Sequence, residues 1–185
     1  MQNEPDETLV FLVTGSRGAG KTSFCQALAQ SARDEGWKVS GVISPPAFEG
    51  HTRSAIIAQA LSSGEQRQLA ARISPGAGNP EKGPSTLNWQ FDRAVIAWAN
   101  QTLLESIPTD LLIVDELGFL EFEREQGWMA AFDVIDSGQY SVGVVVVRSE
   151  LLAEALVRWP DANIIEIDTP VESTRKAKAL AQQLF

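Results

Sequence analysis

Eight consecutive residues, Gly15-Ser16-Arg17-Gly18-Ala19-Gly20-Lys21-Thr22, fit the pattern G-x-x-x-x-G-K-[ST] at every fixed position. Each position has a chemical reason. Glycines let a backbone turn curl until its N–H groups converge on phosphate oxygens, with no side chain in the way. A helix opening at Lys21 aims its unpaired N–H groups and positive dipole end at the same anion. A lysine places a compact positive charge on the β- and γ-phosphates, and the following hydroxyl is a magnesium ligand. The alternative, a glycine-rich turn that matches by accident, lacks the flanking strand and helix that this stretch has. The pattern therefore predicts a P-loop (Walker A) cradle for a nucleoside triphosphate such as ATP or GTP, made by Gly15, Ser16, Arg17, Gly18, Ala19, Gly20, Lys21, Thr22 and the adjoining Ser23, with Mg2+ as cofactor.

A cradle of this kind needs a carboxylate near its hydroxyl, and the end of a neighbouring strand is where one reaches it. Leu111-Leu112-Ile113-Val114-Asp115-Glu116 is four apolar residues ending in two acids. Taken alone it is a plain strand terminus; beside the cradle it is the expected Walker B half. Asp115 is the expected second metal group with Thr22. Glu116 is the expected base that orients or deprotonates an attacking water, a chemistry that suits hydrolysis more than transfer to a second substrate. Arg148 follows the apolar run Val144–Val147, at a carboxyl edge where open α/β sheets bind ligands, and is expected to stabilise charge on the γ-phosphate. Lys21, Glu116 and Arg148 form the expected catalytic set. Arg17 and Arg53 are weaker candidates for the same role, each equally readable as a solvated surface charge.

The elements that must position these groups are legible from pattern. Thr8–Thr14, Trp37–Ile43, Asp110–Asp115, Tyr140–Val147 and Asn163–Ile167 are short apolar runs that read as buried strands. Helices are expected over Lys21–Glu35, Trp89–Ser106, Arg124–Asp136 and Glu150–Arg158, the last capped by Ser149. Thr169-Pro170-Val171-Glu172 opens a final helix as a capping box with proline at its first position. Ser44-Pro45-Pro46 should stop the second strand, and Arg53–Ala60 with Gln66–Ile73 should form a β-hairpin. The alternation predicts an α/β fold: three layers, a mainly parallel sheet with helices on both faces, and a small β-hairpin insertion. A single domain over residues 8–185 follows, preceded by a flexible acidic N-terminus at 1–7. Ser74 to Asn88 holds three prolines and three glycines in fifteen residues and is expected to be an irregular loop, mobile until nucleotide or a partner orders it. Trp89 at its end is an aromatic that could stack on a base.

The 185 residues, 44% hydrophobic and 21% charged, suit one globular domain. A net charge of −9 argues against charge-driven binding of nucleic acid or anionic lipid, and no apolar run is long enough to insert in a membrane. The acidic start is unlike a secretory signal, so a cytoplasmic protein is expected. Cys25, the single cysteine, reads as a core residue, and His51, the single histidine, as a loop residue.

Asp115-Glu116-Leu117-Gly118-Phe119-Leu120-Glu121 resembles a run found in the small P-loop nucleoside-triphosphatases of the cancer-related and thermophilic type, and Gly41-Val42-Ile43-Ser44-Pro45 and Arg53 are similar to neighbouring features of that family. The resemblance runs from about Leu9 to Ile167. It implies broad hydrolysis of ATP, GTP and other nucleotides to diphosphate and phosphate. This sequence departs from the family at Val147-Arg148, where the family often has His-Arg, and at Asp168-Thr169-Pro170, where it usually has Asn-Arg-Asp, so base preference does not carry over. Two other functions are compatible with the residues: a nucleotide-gated module that hydrolyses poorly and acts through a protein partner, and a nucleotide or nucleoside kinase. The long loop, with only Lys82 inside it and Arg93 at its edge, makes a poor kinase lid.

Overall fold

Runs of β-branched residues and one antiparallel block join in a single continuous sheet in the computed structural model, which describes residues 8–185. The acidic segment 1–7, expected to be flexible, lies outside the described residues. In chain order the elements are β1 (Leu9–Thr14), α1 (Lys21–Asp34), β2 (Val39–Ile43), β3 (Pro46–Glu49), β4 (Thr52–Ala60), β5 (Gln66–Arg72), β6 (Trp89–Phe91), α2 (Arg93–Leu104), β7 (Thr109–Leu117), α3 (Phe119–Phe122), α4 (Ala130–Asp136), β8 (Tyr140–Val147), α5 (Leu152–Arg158), β9 (Asn163–Glu166) and α6 (Pro170–Leu184).

Five strands, in the order β2-β7-β8-β1-β9, are parallel. Their residues alternate between two apolar layers. Leu12, Leu112, Val114, Val145 and Val147 face the side covered by α2, α4 and α5. Val13, Leu111, Ile113, Val144 and Val146 face α1 and α6. Both faces of the central strands are dry, which is why they read as unbroken apolar runs, while β9 at the edge is largely exposed. Each such side chain contributes about 1.5–3 kcal/mol by leaving water. On α1 the buried residues Phe24, Cys25, Leu28, Ala29 and Ala32 form one stripe. Cys25 is a core residue: burial, followed by the charge of Asp115, pushes its thiol well above the ordinary value and keeps it protonated. His51 is exposed in the turn between β3 and β4.

The expected hairpin is present as β4 and β5, and it is part of something larger. β4 pairs antiparallel with β2, β3 folds back on β4, and β6 adds to β5, so a four-stranded antiparallel wing extends the parallel sheet. Pro46 does not end the strand structure; it begins β3, where a missing N–H is tolerated at a strand start. The helix expected from Trp89 starts only at Arg93, because the Asp92 carboxylate accepts from Ala94 N at 2.8 Å and Val95 N at 3.2 Å and fixes the cap there. Trp89–Phe91 is a strand instead.

Two further helices differ from expectation. The segment from Arg124 becomes helical only at Ala130, since Glu125 (φ 50°) and Gly127 (φ 78°) are left-handed and break the pattern. Ser149 does not cap the next helix. Its hydroxyl donates to Glu150 Oε2 at 3.1 Å, and a short 3-10 turn, Ser149–Leu151, precedes α5. The last helix opens as expected, with Thr169 Oγ1 accepting from Glu172 N and the Glu172 carboxylate accepting from Asp168 N, each at 3.3 Å. None of the described helices is long and apolar enough to cross a membrane.

The loop from Ile73 to Asn88 is irregular, as its prolines and glycines require, yet it is stitched down. The buried Gln90 side chain accepts from Asn79 N at 2.6 Å and donates to Gly83 O at 3.1 Å and Pro84 O at 3.3 Å. Arg93 and Arg124 donate to Pro80 O and Ser85 O, both at 3.0 Å.

β2 can approach β7 only because Gly41 has no side chain. Its φ is 115°, and a Cβ there would stand 1.9 Å from Ile113 O. Gly41→Ala is expected to lower stability by about 3 kcal/mol or more through backbone strain and strand displacement. The urea midpoint of the variant against the parent measures it.

Candidate active site

The turn between β1 and α1 lies at the carboxyl edge of the parallel sheet. Gly15 (φ 133°) is forced by close approach, since a Cβ would meet Ile167 O at 2.0 Å. Gly20 (φ 97°) caps α1 and touches the start of α6, with Ser173 Oγ donating to Gly20 O at 2.7 Å. Lys21 Nζ donates to Gly15 O at 2.7 Å and Ser16 O at 3.1 Å, so the ammonium is folded across the mouth of the turn. The first turn of α1 carries no acidic side chain, which leaves its amide end attractive to an anion. Arg17, Gly18 and Ser23 are exposed, while Ala19 is buried against the core.

Asp115 ends the straight part of β7 and is 2% exposed. Its Oδ2 accepts from Ser44 N at 3.2 Å, and the Thr22 hydroxyl is close enough to favour its charged form. Burial and then the charge of Glu116 raise its pKa to about 6, against the opposing pull of Ser44, Thr22 and Lys21. A hydroxyl beside a carboxylate is a pair of hard oxygen donors. Among the described residues no cluster of three or more His, Cys, Asp or Glu side chains could hold an ion unaided. That donor set fits a magnesium-type ion, which takes one or two protein oxygens and keeps waters and phosphate oxygens for the rest.

Glu116 points the other way along the strand and is a third exposed. Arg148 Nε lies 3.6 Å from Glu116 Oε1. The arginine also rests on Gly118, where a Cβ would come within 3.2 Å of its Nε, and its guanidinium stands 5.5 Å from the centre of the Phe119 ring. The sequence-predicted groups Lys21, Thr22, Asp115, Glu116 and Arg148 are thus brought to one edge of the sheet.

Two further residues shape this edge, one left unassigned by the sequence and one only a weaker candidate there. Glu121 is buried, its carboxylate accepting from Gly118 N at 2.8 Å and Trp128 N at 3.0 Å. It braces the turn that follows Asp115-Glu116 and is not itself a water-activating group. The spacing Gly118-x-x-Glu121 was the available signal, because a glutamate three residues into a turn of helix reaches back to the cap N–H. Arg53 is the other. Its guanidinium stands 5.3 Å from the Trp89 ring centre and within electrostatic reach of Arg17, Glu116, Asp115 and Arg148. Trp89 packs on this arginine.

Strand order, crossover helices and the turn between β1 and α1 define a P-loop α/β protein. A family model described as NTPase matches residues 10–177, and the chain belongs to that family of nucleoside-triphosphatases. It is 34% identical over 117 residues to the nucleoside-triphosphatase THEP1 of Pyrococcus abyssi, a match that spans 63% of this chain and 62% of that protein. It is 27% identical over 139 residues to the protein of the same name from Thermococcus kodakarensis, covering 74% of this chain and 76% of the relative. The solution structure of a human cancer-related nucleoside triphosphatase has the same fold, with a TM-score of 0.70 over 95% of this chain and 96% of that one at 18% identity.

Burial raises the Glu121 pKa to about 7, above the ordinary 4.5. The folded state therefore binds this proton more tightly than the unfolded chain does. The stability it contributes is full below about pH 4.5 and is lost as pH rises through 7, a change of about 3 kcal/mol. Glu121→Gln should remove that component while putting an amide donor against one backbone N–H, at a cost of about 1–3 kcal/mol. Denaturant titrations of parent and variant from pH 4.5 to 8 measure both.

Proposed function

We propose that this chain is a magnesium-dependent nucleoside-triphosphatase that hydrolyses ATP, GTP and related nucleotides to diphosphate and phosphate. The carrying observation is the meeting of the Thr22 hydroxyl, the buried Asp115 carboxylate and Glu116 at the mouth of the turn that Lys21 spans. Family membership supports the same reading.

Gly15, Ser16, Arg17, Gly18, Ala19, Gly20, Lys21, Thr22 and Ser23 surround the phosphates, mainly through backbone N–H groups at the start of α1. To reach the β- and γ-oxygens, Lys21 leaves the carbonyls of Gly15 and Ser16 that it now binds. Thr22 and Asp115 are the residues that would hold magnesium, and the ion would supply positive charge to offset that of the phosphates. Glu116 accepts a proton from water as the water oxygen forms its bond to the γ-phosphorus. The bond from that phosphorus to the β–γ bridging oxygen breaks, and the electron pair stays on the diphosphate. Arg148 keeps the Glu116 carboxylate oriented and adds positive charge at the same edge. One domain, residues 8–185, carries the activity, and the proposed setting is the cytoplasm.

Glu116→Gln retains shape and loses the carboxylate; turnover should fall about a hundredfold or more with nucleotide affinity largely kept. Lys21→Ala should abolish triphosphate binding or turnover and leave the circular dichroism spectrum unchanged. A phosphate-release assay across several nucleotides, with and without acceptor nucleosides, tests the activity itself. Phosphate released to water is the expected result. Phosphate found on an acceptor, or tight binding with negligible turnover, would overturn it.

A further inference from the structure

Arg53 is the charged group near the cradle that the hydrolytic assignment leaves unused. Its place follows from topology. β4 runs antiparallel to β2, with Val42 opposite Ala60 and Ile43 opposite Gln59, so the first residues of β4 lie beyond the carboxyl end of β2. The ladders shift register at Ala47/Phe48 against β3 and at Ile56/Ile57 against β5. Irregularities of this kind bend a strand. The bent end brings Arg53 within electrostatic reach of Asp115 and Glu116, and also of Arg17 in the turn and Arg148 just after β8.

The environment of Arg53 is not that of a structural arginine. Its Nε is buried without a hydrogen-bond partner among the described residues. No ion pair to it occurs among those residues either, although two carboxylates are in electrostatic range. Burial, and next the like charge of Arg17, hold the guanidinium below its ordinary pKa. Its guanidinium lies over the Trp89 ring, a contact that satisfies none of its N–H donors. Arg148, by contrast, is already engaged by Glu116, Gly118 and Phe119. A planar fork of donors, partly desolvated and crowded by other cations, suits an anion with several oxygens arranged around one centre.

We propose that Arg53 is a further catalytic residue of the hydrolysis described above, its guanidinium binding the γ-phosphoryl oxygens as the bond to the bridging oxygen breaks, with Trp89 holding the group face-on. The assignment rests on the nucleoside-triphosphatase reading. It makes the antiparallel wing part of the active site and divides the work between two arginines: Arg148 orients the base, and Arg53 binds the group being transferred. Arg53 gives up no proton. Its contribution is to bind the transition state more tightly than the ground state.

Arg53→Ala and Arg53→Lys test this through turnover and equilibrium binding. In Arg53→Ala, kcat should fall about a hundredfold or more, and in Arg53→Lys about tenfold or more, as for arginines that act on a transferring phosphoryl group. Affinity for nucleoside diphosphate alone should stay within about threefold of the parent, because the γ-phosphate is not there to be bound. The extra affinity that aluminium fluoride and magnesium confer on the diphosphate complex, an imitation of the transition state, should be lost. A kcat for Arg53→Ala within about threefold of the parent overturns the assignment, as does a loss of diphosphate affinity as large as the loss for the fluoride complex. Should the alanine variant not fold, the same limits apply to Arg53→Lys. A parent protein that releases no phosphate overturns the assignment together with the reading beneath it; an active parent beside a fully active Arg53→Ala overturns the role of Arg53 alone.

Discussion

Asp115 places a carboxylate at the end of β7, in the middle of the parallel sheet, with almost no contact with water. Burying such a group unpaired costs several kcal/mol, so its surroundings are constrained. The partners it has are the backbone N–H of Ser44, where the chain leaves β2, and the hydroxyl of Thr22, in the first turn of α1. One side chain therefore joins three elements distant in sequence, and it does so at the spot where the phosphate-binding turn opens. Gly41 lets β2 close on β7, Gly15 lets the turn close on Ile167, and both close approaches bring polar groups within reach of the same edge.

Burial then divides the chemistry. Asp115 faces inward among hydroxyl and amide partners, and its neighbour Glu116 is turned toward Arg148 and the solvent. The chain must leave this point in a fixed direction for that division to hold. Glu121 supplies the fixing by accepting from Gly118 N and Trp128 N, and glycine is required at Gly127 beside it because a Cβ there would strike its carboxylate at 1.9 Å. The proposed division between a metal aspartate and a base glutamate thus depends on a third acid, which braces the turn behind them.

The parallel half of the fold was readable because its central strands are buried on both faces and its long helices keep an apolar stripe. Local pattern and tertiary environment agree there. The glycine turn, Asp115, Glu116 and Arg148 were readable for a related reason: their spacing is dictated by the phosphate chemistry itself. The wing was read only as a hairpin. β3 and β6 are four and three residues long, too short for periodicity to mark, and β6 ends against an aspartate cap whose signal was outweighed by the helical pattern behind it. Arg53, only a weaker candidate, and Glu121, left unassigned, resisted reading for opposite reasons. The position of Arg53 depends on how a strand from another part of the chain bends, which no local window contains. Glu121 looks in sequence like any surface acid, and its burial follows from Gly127 and Trp128 folding back over it.

The contact between Gly20 and α6 ties the shape of the turn to residues remote in sequence. Ser173 holds the Gly20 carbonyl across 153 residues, and the loop before α6 supplies the carbonyl that Gly15 abuts. Ile167, Pro170 and Ser173 are the walls against which Gly15 and Gly20 close. The curl of the glycine motif is therefore a property of the assembled sheet, and a fragment carrying β1 and α1 alone would hold the same residues as a slack loop.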